Sequence, residues 1–368
     1  MAGGTGGHLF PAMALAQELR RRGHVIHLMT DERVAGYGDD FPARETHIVP
    51  SATPSIRSPV KFAAAAAKLG WGTMVAWGML GRIQPDVMVA FGGYPTVPPF
   101  LAGRLRAIPG VLHDANAVLG RANLFLARSA TALALAFQKT ARAEPFVAKS
   151  VVTGNPVRDR VRVAAGTPYS AFGPGDPIRL LVFGGSQGAH AFAALVPAAV
   201  ALLPEELRSR LSITQQARAE DLDQVADAYR RAKVNVELQS FFTDMPDRIA
   251  ASHLVISRAG GGTVAELCVI GRPAILVPLP GAIDADQKHN AMVMDGAGGG
   301  WLAEQATLTP VLLAERLQKL FAAPDALAKA AAVAKSLGHP DAVALLADLA
   351  EKLAAGRKPS KIKTGEPT

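Results

Sequence analysis

Three glycine-rich stretches in this chain stand at the start of helical runs, and each carries a side chain suited to chemistry on an anionic substrate. The first, Gly3-Gly4-Thr5-Gly6-Gly7-His8, opens the chain. The second, GGSQGA at Gly184–Ala189, follows the apolar run LLVF, and the third, SRAGGGTVAE at Ser257–Glu266, follows LVI. Glycine lets backbone N–H groups approach a phosphate without a Cβ in the way, and a helix N-terminus favours negative charge. His8 closes the first loop, and an imidazole, with an unperturbed pKa of about 6.5, can accept a proton near neutrality. Ser186 fits two patterns. It is the serine of a G-x-S-x-G turn between strand and helix, which is a hydrolase nucleophile elbow with His253, His289 and His339 available as partners; it also fits a cradle for a diphosphate. The residues alone leave both open. In the third stretch Thr263 suits a phosphate, and Glu266, one helical turn further in, can accept ribose hydroxyls or simply complement the helix dipole.

Three further segments supply polar groups at expected strand ends. His113-Asp114-Ala115-Asn116 follows GVL. In Gly154-Asn155-Pro156-Val157-Arg158 the guanidinium of Arg158 can meet a diphosphate with two parallel bonds. The loop Pro278–Asn290 contains Gln287 and the pair Asp284-x-Asp286; with no further ligands beside that pair, no metal site is expected.

The elements that must position these residues read as alternating strands and helices. Strands are expected at His24–Met29, Asp86–Ala90, Gly110–His113, Ser150–Thr153, Ile178–Phe183, Leu211–Gln215, Val234–Leu238, Leu254–Ile256 and Ala274–Val277. Helices are expected at Pro11–Arg22, Arg121–Arg128, Ala189–Leu203, Glu220–Lys233, Thr263–Ile270 and Gln287–Asp295. This alternation implies α/β architecture, parallel sheets covered by helices, with ligands beyond the carboxyl ends of the strands. The 368 residues suit two domains: 1–158, then 159–337 after a linker-like stretch, with 338–356 a C-terminal helix packing back on the first domain and 357–368 a disordered tail. Only Met1 and Ala2 precede the first glycine loop, so the first strand of the N-terminal domain is expected to be missing or to start upstream.

Charge is uneven. Residues 1–160 hold 18 Lys and Arg against 10 Asp and Glu, whereas 161–368 hold 21 of each. The excess of the first half is fit for nucleic acid, anionic lipid or phosphorylated substrates. The window Phe62–Gly81 is the most apolar, with Trp71 and Trp77 inside it and Arg57, Lys61, Lys68 and Arg82 around it; no acidic residue lies between Glu45 and Asp86. Its alternatives are an interfacial membrane surface and a pair of buried alanine-rich helices. The single cysteine, Cys268, excludes an intrachain disulfide framework.

Taken in order, GGTGGHLFPAMALAQEL, FGGYPTVPP, HDANAVLGRAN, TGNPVR, FGGSQGA, the FF-x-DM run at Phe241–Met245, RAGGGTVAE and DQKHNA resemble the MurG family over roughly residues 3–350. The resemblance implies a GT-B fold, two Rossmann-like domains with parallel sheets facing across a cleft. It implies inverting transfer of N-acetylglucosamine from UDP-GlcNAc to the C4 hydroxyl of the muramoyl sugar of an undecaprenyl-linked lipid acceptor, in peptidoglycan synthesis, with no cofactor. It further implies peripheral attachment to an anionic membrane surface at the cytoplasmic face, contact with other cell-wall synthesis proteins, and no nucleic acid. Carried over by position, His8 is the base with Asp114 as second choice. Thr5, Gly6 and Gly7 line the cleft, Asn116 and Arg158 meet donor groups, and Ser186 meets the diphosphate. Phe242 sits by the uracil through its backbone, Gly261, Gly262, Thr263, Val264, Ala265 and Glu266 hold uridine, and Gln287 binds the sugar. Many members read HEQN where this chain has HDAN, and SGA where it has Ala259-Gly260-Gly261. The competing readings are a serine hydrolase built on Ser186 and a non-catalytic nucleotide-sugar-binding protein.

Overall fold

The computed structural model describes residues 1–3, 6–34, 41–54, 58–185, 189–282 and 284–356. The chain divides into two compact units, Met1–Arg158 with His339–Thr368, and Asp159–Gly338. Thr5, Arg57, Ser186 and the tail 357–368 lie outside the described residues.

The first unit runs α1 (Gly6–Arg21), β1 (His27–Thr30), β2 (Glu45–Ile48), α2 (Pro59–Ile83), β3 (Met88–Ala90), α3 (Val97–Leu105), β4 (Gly110–Asp114), α4 (Arg121–Ala127), β5 (Ala132–Leu135) and β6 (Ser150–Val152). β1 pairs with β2, and β3 to β6 pair in chain order, all in parallel. The place of a first strand, between β1 and β3, is held by Met1 and Ala2. Ala2 N–H donates to Met29 O, the Met1 amine to Val89 O at 2.7 Å, and Phe91 N–H to Met1 O. This bridge makes the two short sheets continuous in sense. α1 begins at Gly6, five residues before the expected start, because the glycine loop itself forms its first turn. Leu9, Ala12, Leu15 and Ala16 recur at helical spacing and are buried with Leu28, Phe91 and Val111.

The apolar window becomes one helix, α2, capped by Ser58 with Pro59 in its first turn and closed by Gln84 in the left-handed region. Of its 25 residues only Ala65, Gly72, Ala76 and Leu80 are buried. Gly72 is needed where the helix meets the chain: a Cβ there would sit 2.0 Å from Pro50 O. Trp71, Met74 and Trp77 are about half exposed or more. The window is thus a largely exposed single helix and not a buried pair. No helix among the described residues is long and apolar enough to cross a membrane.

The second unit runs α5 (Asp159–Ala164), β7 (Ile178–Phe183), α6 (His190–Ala201), α7 (Glu205–Arg208), β8 (Leu211–Gln216), α8 (Leu222–Arg231), β9 (Asn235–Gln239), α9 (Met245–Ala251), β10 (Leu254–Ser257), α10 (Gly261–Ile270), β11 (Ala274–Leu276), α11 (Asp286–Ala297), β12 (Gly300–Leu302), α12 (Pro310–Phe321) and α13 (Pro324–Ser336). Its six-stranded parallel sheet has the order β12-β11-β10-β7-β8-β9. Strand order reverses between β7 and β10, which are adjacent and in register over Leu180–Phe183 and Leu254–Ser257. The crevice beyond the carboxyl ends of such a pair is where doubly wound sheets bind ligands. The chain then returns to the first unit as α14 (Ala342–Ala354), whose Leu346, Leu349 and Leu353 enter the core around α1. Arg22 fastens it through Asp348 at 2.6 Å and Glu351 at 2.9 Å.

Three strands, β2, β5 and β12, were not expected from the sequence. β2 is polar, β5 is ALAL with weak β propensity, and β12 has three residues; each depends on a neighbouring strand for its pairing.

Candidate functional site

In the first unit, the turn that starts α1 meets the loops after β3 and β4. His8 packs on the loop after β3. Gly92 and Gly93 have φ of +88° and +77°, and a Cβ on either would lie 3.3 Å from His8 Cε1 or 3.4 Å from His8 Cδ2. Both the backbone angle and the close ring therefore require glycine at this turn. Gly6 is buried, with a Cβ position 3.0 Å from the Phe10 ring, and Gly7 is exposed. The Arg158 guanidinium lies over that same ring, 4.9 Å from its centroid. His8, Gly6, Gly7 and Arg158 are thus gathered around the first turns of α1.

Asp114 ends β4 and is buried. Its Oδ1 accepts the Asn116 N–H at 3.0 Å, and its Oδ2 accepts the Gly120 N–H and the Asn123 amide, each at 3.0 Å. Burial pushes its pKa up, and these three donors and the nearby His8 pull it back. The carboxylate is a staple for the turn 115–120. Its oxygens are engaged by its own loop. Asn116 is drawn into the same turn, with Nδ2 3.4 Å from Asp114 Oδ1. Asn123 also donates to His113 O at 3.0 Å. Sequence reasoning assigned no role to Gly92, Gly93 or Asn123; the signal was there in a glycine pair directly after a short apolar strand.

His113, fully buried, faces Phe91 and is bonded through Nε2 to Gly154 O at 3.2 Å. Burial lowers its pKa to about 4. With an ordinary value near 6.5, it is a base held neutral by the fold. Between about pH 6.5 and 4 the unfolded chain binds a proton that the folded one does not, so this contribution to stability is full above about pH 6.5 and falls with acidification toward pH 4. Unit 1 is expected to lose on the order of 3–4 kcal/mol across this window. The check is a series of urea midpoints at pH 8, 6.5 and 5, read by Trp71 and Trp77 in a Trp301→Phe background. A pH-independent midpoint would contradict it.

In the second unit, the loops after β7 and β10 flank the crossover point. Gly185 has φ of +83°, and among the described residues neither its Cβ position nor that of Gly262, in the first turn of α10, has a neighbour within 4 Å. Gly260 precedes α10, and Gly261, Gly262 and Thr263 carry the first amides of this ten-residue helix, which have no partner within the helix. Val264 is buried; Ala265 and Glu266 are half-buried. Gln287, in the first turn of α11, accepts from Leu279 N at 2.9 Å and Ala259 N at 3.3 Å, tying the loop after β11 to the loop after β10. Asn290, fully buried, supports it by donating to Ala259 O at 3.0 Å. Arg258 turns inward, donating to Val277 O and Pro278 O, each at 3.1 Å. The Phe242 side chain is buried beneath the Arg248 guanidinium, 4.1 Å from the ring centroid, so that only its backbone is offered to a ligand. Gly261, Gly262, Thr263, Val264, Ala265, Glu266 and Gln287 are therefore brought together; Asn116 and Arg158 belong to the other unit.

His253, one of the three histidines open to the hydrolase reading, stands at the wrong end of β7 for it. His253 packs at the amino end of β7, where its Nδ1 accepts from Arg179 N at 3.0 Å and its ring meets Phe172. The loop bearing Ser186 leaves the carboxyl end of that strand, roughly 13 Å away at the usual strand rise. His339 lies in the first unit against Gly154. Among the described residues, Asp284 and Asp286 take part in no group of three metal-ligating side chains.

Comparison with known proteins agrees with this layout. The glycosyltransferase family 28 N-terminal domain matches residues 1–135, and the glycosyltransferase family 28 C-terminal domain matches residues 179–346. A UDP-N-acetylglucosamine–N-acetylmuramyl-(pentapeptide) pyrophosphoryl-undecaprenol N-acetylglucosamine transferase of Methylobacterium radiotolerans is 51% identical over 96% of this chain and 96% of its own. The protein of the same description from Allorhizobium ampelinum is 49% identical over 98% of this chain and 96% of its own. The crystal structure of Acinetobacter baumannii MurG superposes with a TM-score of 0.77 at 29% identity, covering 96% of this chain and 98% of that one. With both domain models matched in order and half of all positions shared with full-length relatives, this chain belongs to the MurG family within glycosyltransferase family 28.

Proposed function

We propose that this chain transfers N-acetylglucosamine from UDP-N-acetylglucosamine to the N-acetylmuramoyl sugar of an undecaprenyl-pyrophosphoryl pentapeptide, the reaction for which its relatives are named. The observation that carries the donor half is the crossover between β7 and β10. It places a helix N-terminus with an open glycine approach at Gly262 beside a second glycine loop. Pyrophosphate charge growing as UDP departs is stabilised by the amides of Gly261, Gly262 and Thr263, with Ser186 as a further donor. Glu266 takes the ribose hydroxyls and the backbone at Phe242 the uracil. The Gln287 carbonyl is engaged by two loop amides, so its NH2 group carries the donors for the sugar.

The acceptor half rests on the first unit. His8 removes the proton of the attacking C4 hydroxyl, Thr5, Gly6 and Gly7 border it, and Asn116 and Arg158 reach groups of the donor. The displacement is a single inversion: the C4 oxygen bonds to the anomeric carbon as the bond to UDP breaks. The test is incubation with radiolabelled UDP-N-acetylglucosamine and the lipid acceptor, followed by butanol extraction. Label in the lipid fraction, dependent on both substrates, is expected; label released only as free sugar would reject the transfer. At the donor site, Gly262→Val has no neighbour to disturb among the described residues, yet places a branched side chain where the pyrophosphate approaches. It should weaken UDP binding by at least about tenfold, or ~1.4 kcal/mol, with Tm within about 2 °C of the parent. Calorimetric titration with UDP reads this, and unchanged affinity would move the donor elsewhere.

Membrane docking is assigned to α2. Its exposed Val60, Trp71 and Met74 share one side of the helix, with Lys61 and Lys68 beside them, and no acidic residue occurs along the helix. Such a face inserts shallowly and is held by anionic headgroups. Trp71→Ala with Met74→Ala should cut sedimentation with phosphatidylglycerol vesicles about tenfold, without change in Tm. Equal sedimentation of the double variant and the parent would place the membrane contact on another surface.

A further inference from the structure

The first unit assembles a set of side chains that the transfer reaction does not use. β1 and β2 pair in parallel, with His27 opposite Glu45 and Met29 opposite His47. Side chains two residues apart on a strand share a face, and residues in register on paired strands share it too. His27, Glu45 and His47 are therefore on one face of this pair, with His27 and Glu45 the first residues of their strands, whereas Asp114 is the last residue of β4. His27 Nδ1 and His47 Nε2 are 3.1 Å apart, and their rings are stacked within 17° of parallel, with centroids 5.4 Å apart. Glu45 Oε2 lies 3.7 Å from His47 Nε2. All three ligand atoms fall within 4.8 Å of one another.

We propose that His27, Glu45 and His47 form a binding site for a divalent transition cation, of the zinc type, which clamps the edge strand β2 to β1. Metal–nitrogen bonds of about 2.0–2.1 Å around one ion put neighbouring ligand atoms roughly 3–3.4 Å apart, and the two imidazole nitrogens already stand at that spacing. The Glu45 side chain is 64% exposed and turns inward without unpacking anything. Two imidazoles and one carboxylate select zinc, cobalt or nickel over magnesium or calcium, which take oxygen ligands. The clamp has a mechanical reason. β2 is a four-residue strand on which Glu45, Thr46 and Ile48 are all exposed, so burial does little to hold it. His27 and His47 are twenty residues apart and only strand register joins them; the sequence reading foresaw no metal.

The test is calorimetric titration of the full chain with zinc chloride, paired with cobalt chloride followed by visible absorption. One zinc per chain is expected, with a tetrahedral cobalt band and no competition from magnesium chloride. Saturating zinc, a hundredfold above Kd, should raise Tm by roughly 5–10 °C and slow hydrogen exchange in β2. His27→Gln and His47→Gln should each weaken zinc binding at least about tenfold, and Glu45→Gln less, with circular dichroism unchanged and transferase activity retained. Absence of saturable binding would overturn the proposal and leave the imidazoles as a simple hydrogen-bonded pair. Binding that survives the double His27→Gln, His47→Gln variant would also overturn it, assigning the metal to others of the nine histidines.

Discussion

Replacing His8 by alanine is expected to lower kcat by about 10²–10⁴-fold while leaving the affinity for UDP within about threefold. The donor determinants, Gly261 to Glu266 and Gln287, all belong to the second unit, whereas His8 belongs to the first. Loss of the imidazole therefore removes proton transfer and not nucleotide binding. The fold around it should persist. The His8 ring rests on the backbone at Gly92 and Gly93, whose turn is set by their own positive φ angles and not by the ring. A control separates the base from its surroundings: Asp114→Asn keeps the side-chain volume but exchanges one acceptor for a donor facing Gly120 N–H and Asn123. That variant should lose stability, about 1–3 kcal/mol, with activity falling in step with the folded fraction. Single-turnover transfer at saturating donor and acceptor is the measurement. A His8→Ala protein that turns over within threefold of the parent would remove His8 from the mechanism. A proportionate loss in Asp114→Asn far beyond its unfolding would return the carboxylate to the list of candidate bases.

Arg272→Ala is expected to be the most damaging substitution for stability in the second unit, at about 3–5 kcal/mol. Arg272 is 2% exposed and follows Gly271, the residue that caps α10. Its Nε donates to Ala250 O at 3.0 Å, its Nη1 to Ile270 O at 3.1 Å and Gly271 O at 3.0 Å, and its Nη2 to Thr167 O at 3.2 Å and Pro168 O at 3.1 Å. The guanidinium also lies over the Tyr169 ring. Five carbonyls from three chain segments converge on one cation, satisfying the last turns of α9 and α10 and fixing the segment that precedes β7. Truncation strands those carbonyls and leaves a void. Lysine restores the charge but has three donors from a single nitrogen, so Arg272→Lys should recover only part of the loss. A fall in Tm of roughly 6–20 °C for the alanine variant is the expected reading. A shift of under 2 °C would mean that water replaces the guanidinium at little cost.

Much of the site was legible because its signals are local. A glycine run before a helical run marks a turn that must bring backbone close to something, and the three runs at residues 3–8, 184–189 and 257–266 stand at such turns wherever the chain is described. β7 was delimited to the residue and β10 to within one, since their apolar runs are bounded by loop residues. The MurG resemblance was carried by the same short motifs, and the full-length relatives agree with it. Less legible were the chemical states. Asp114 reads in sequence as an acid or base at a strand end, and only the structure shows its carboxylate bonded by the amides of its own loop. The alanine-rich window reads equally well as core or surface, since alanine is compatible with both.

The sequence by itself determined where turns, helix starts and apolar strands lie, and which residue types stand at them, because backbone preference and hydrophobic periodicity act over a few neighbouring residues. Only the tertiary structure decided that β7 and β10 are neighbours, that Met1 and Ala2 bridge β1 and β3, that Gly92 and Gly93 face His8, and that His27 meets His47. Those facts depend on strand order and register, which are fixed by burying side chains from distant parts of the chain against one another, and no local pattern of residues encodes which distant partner that will be.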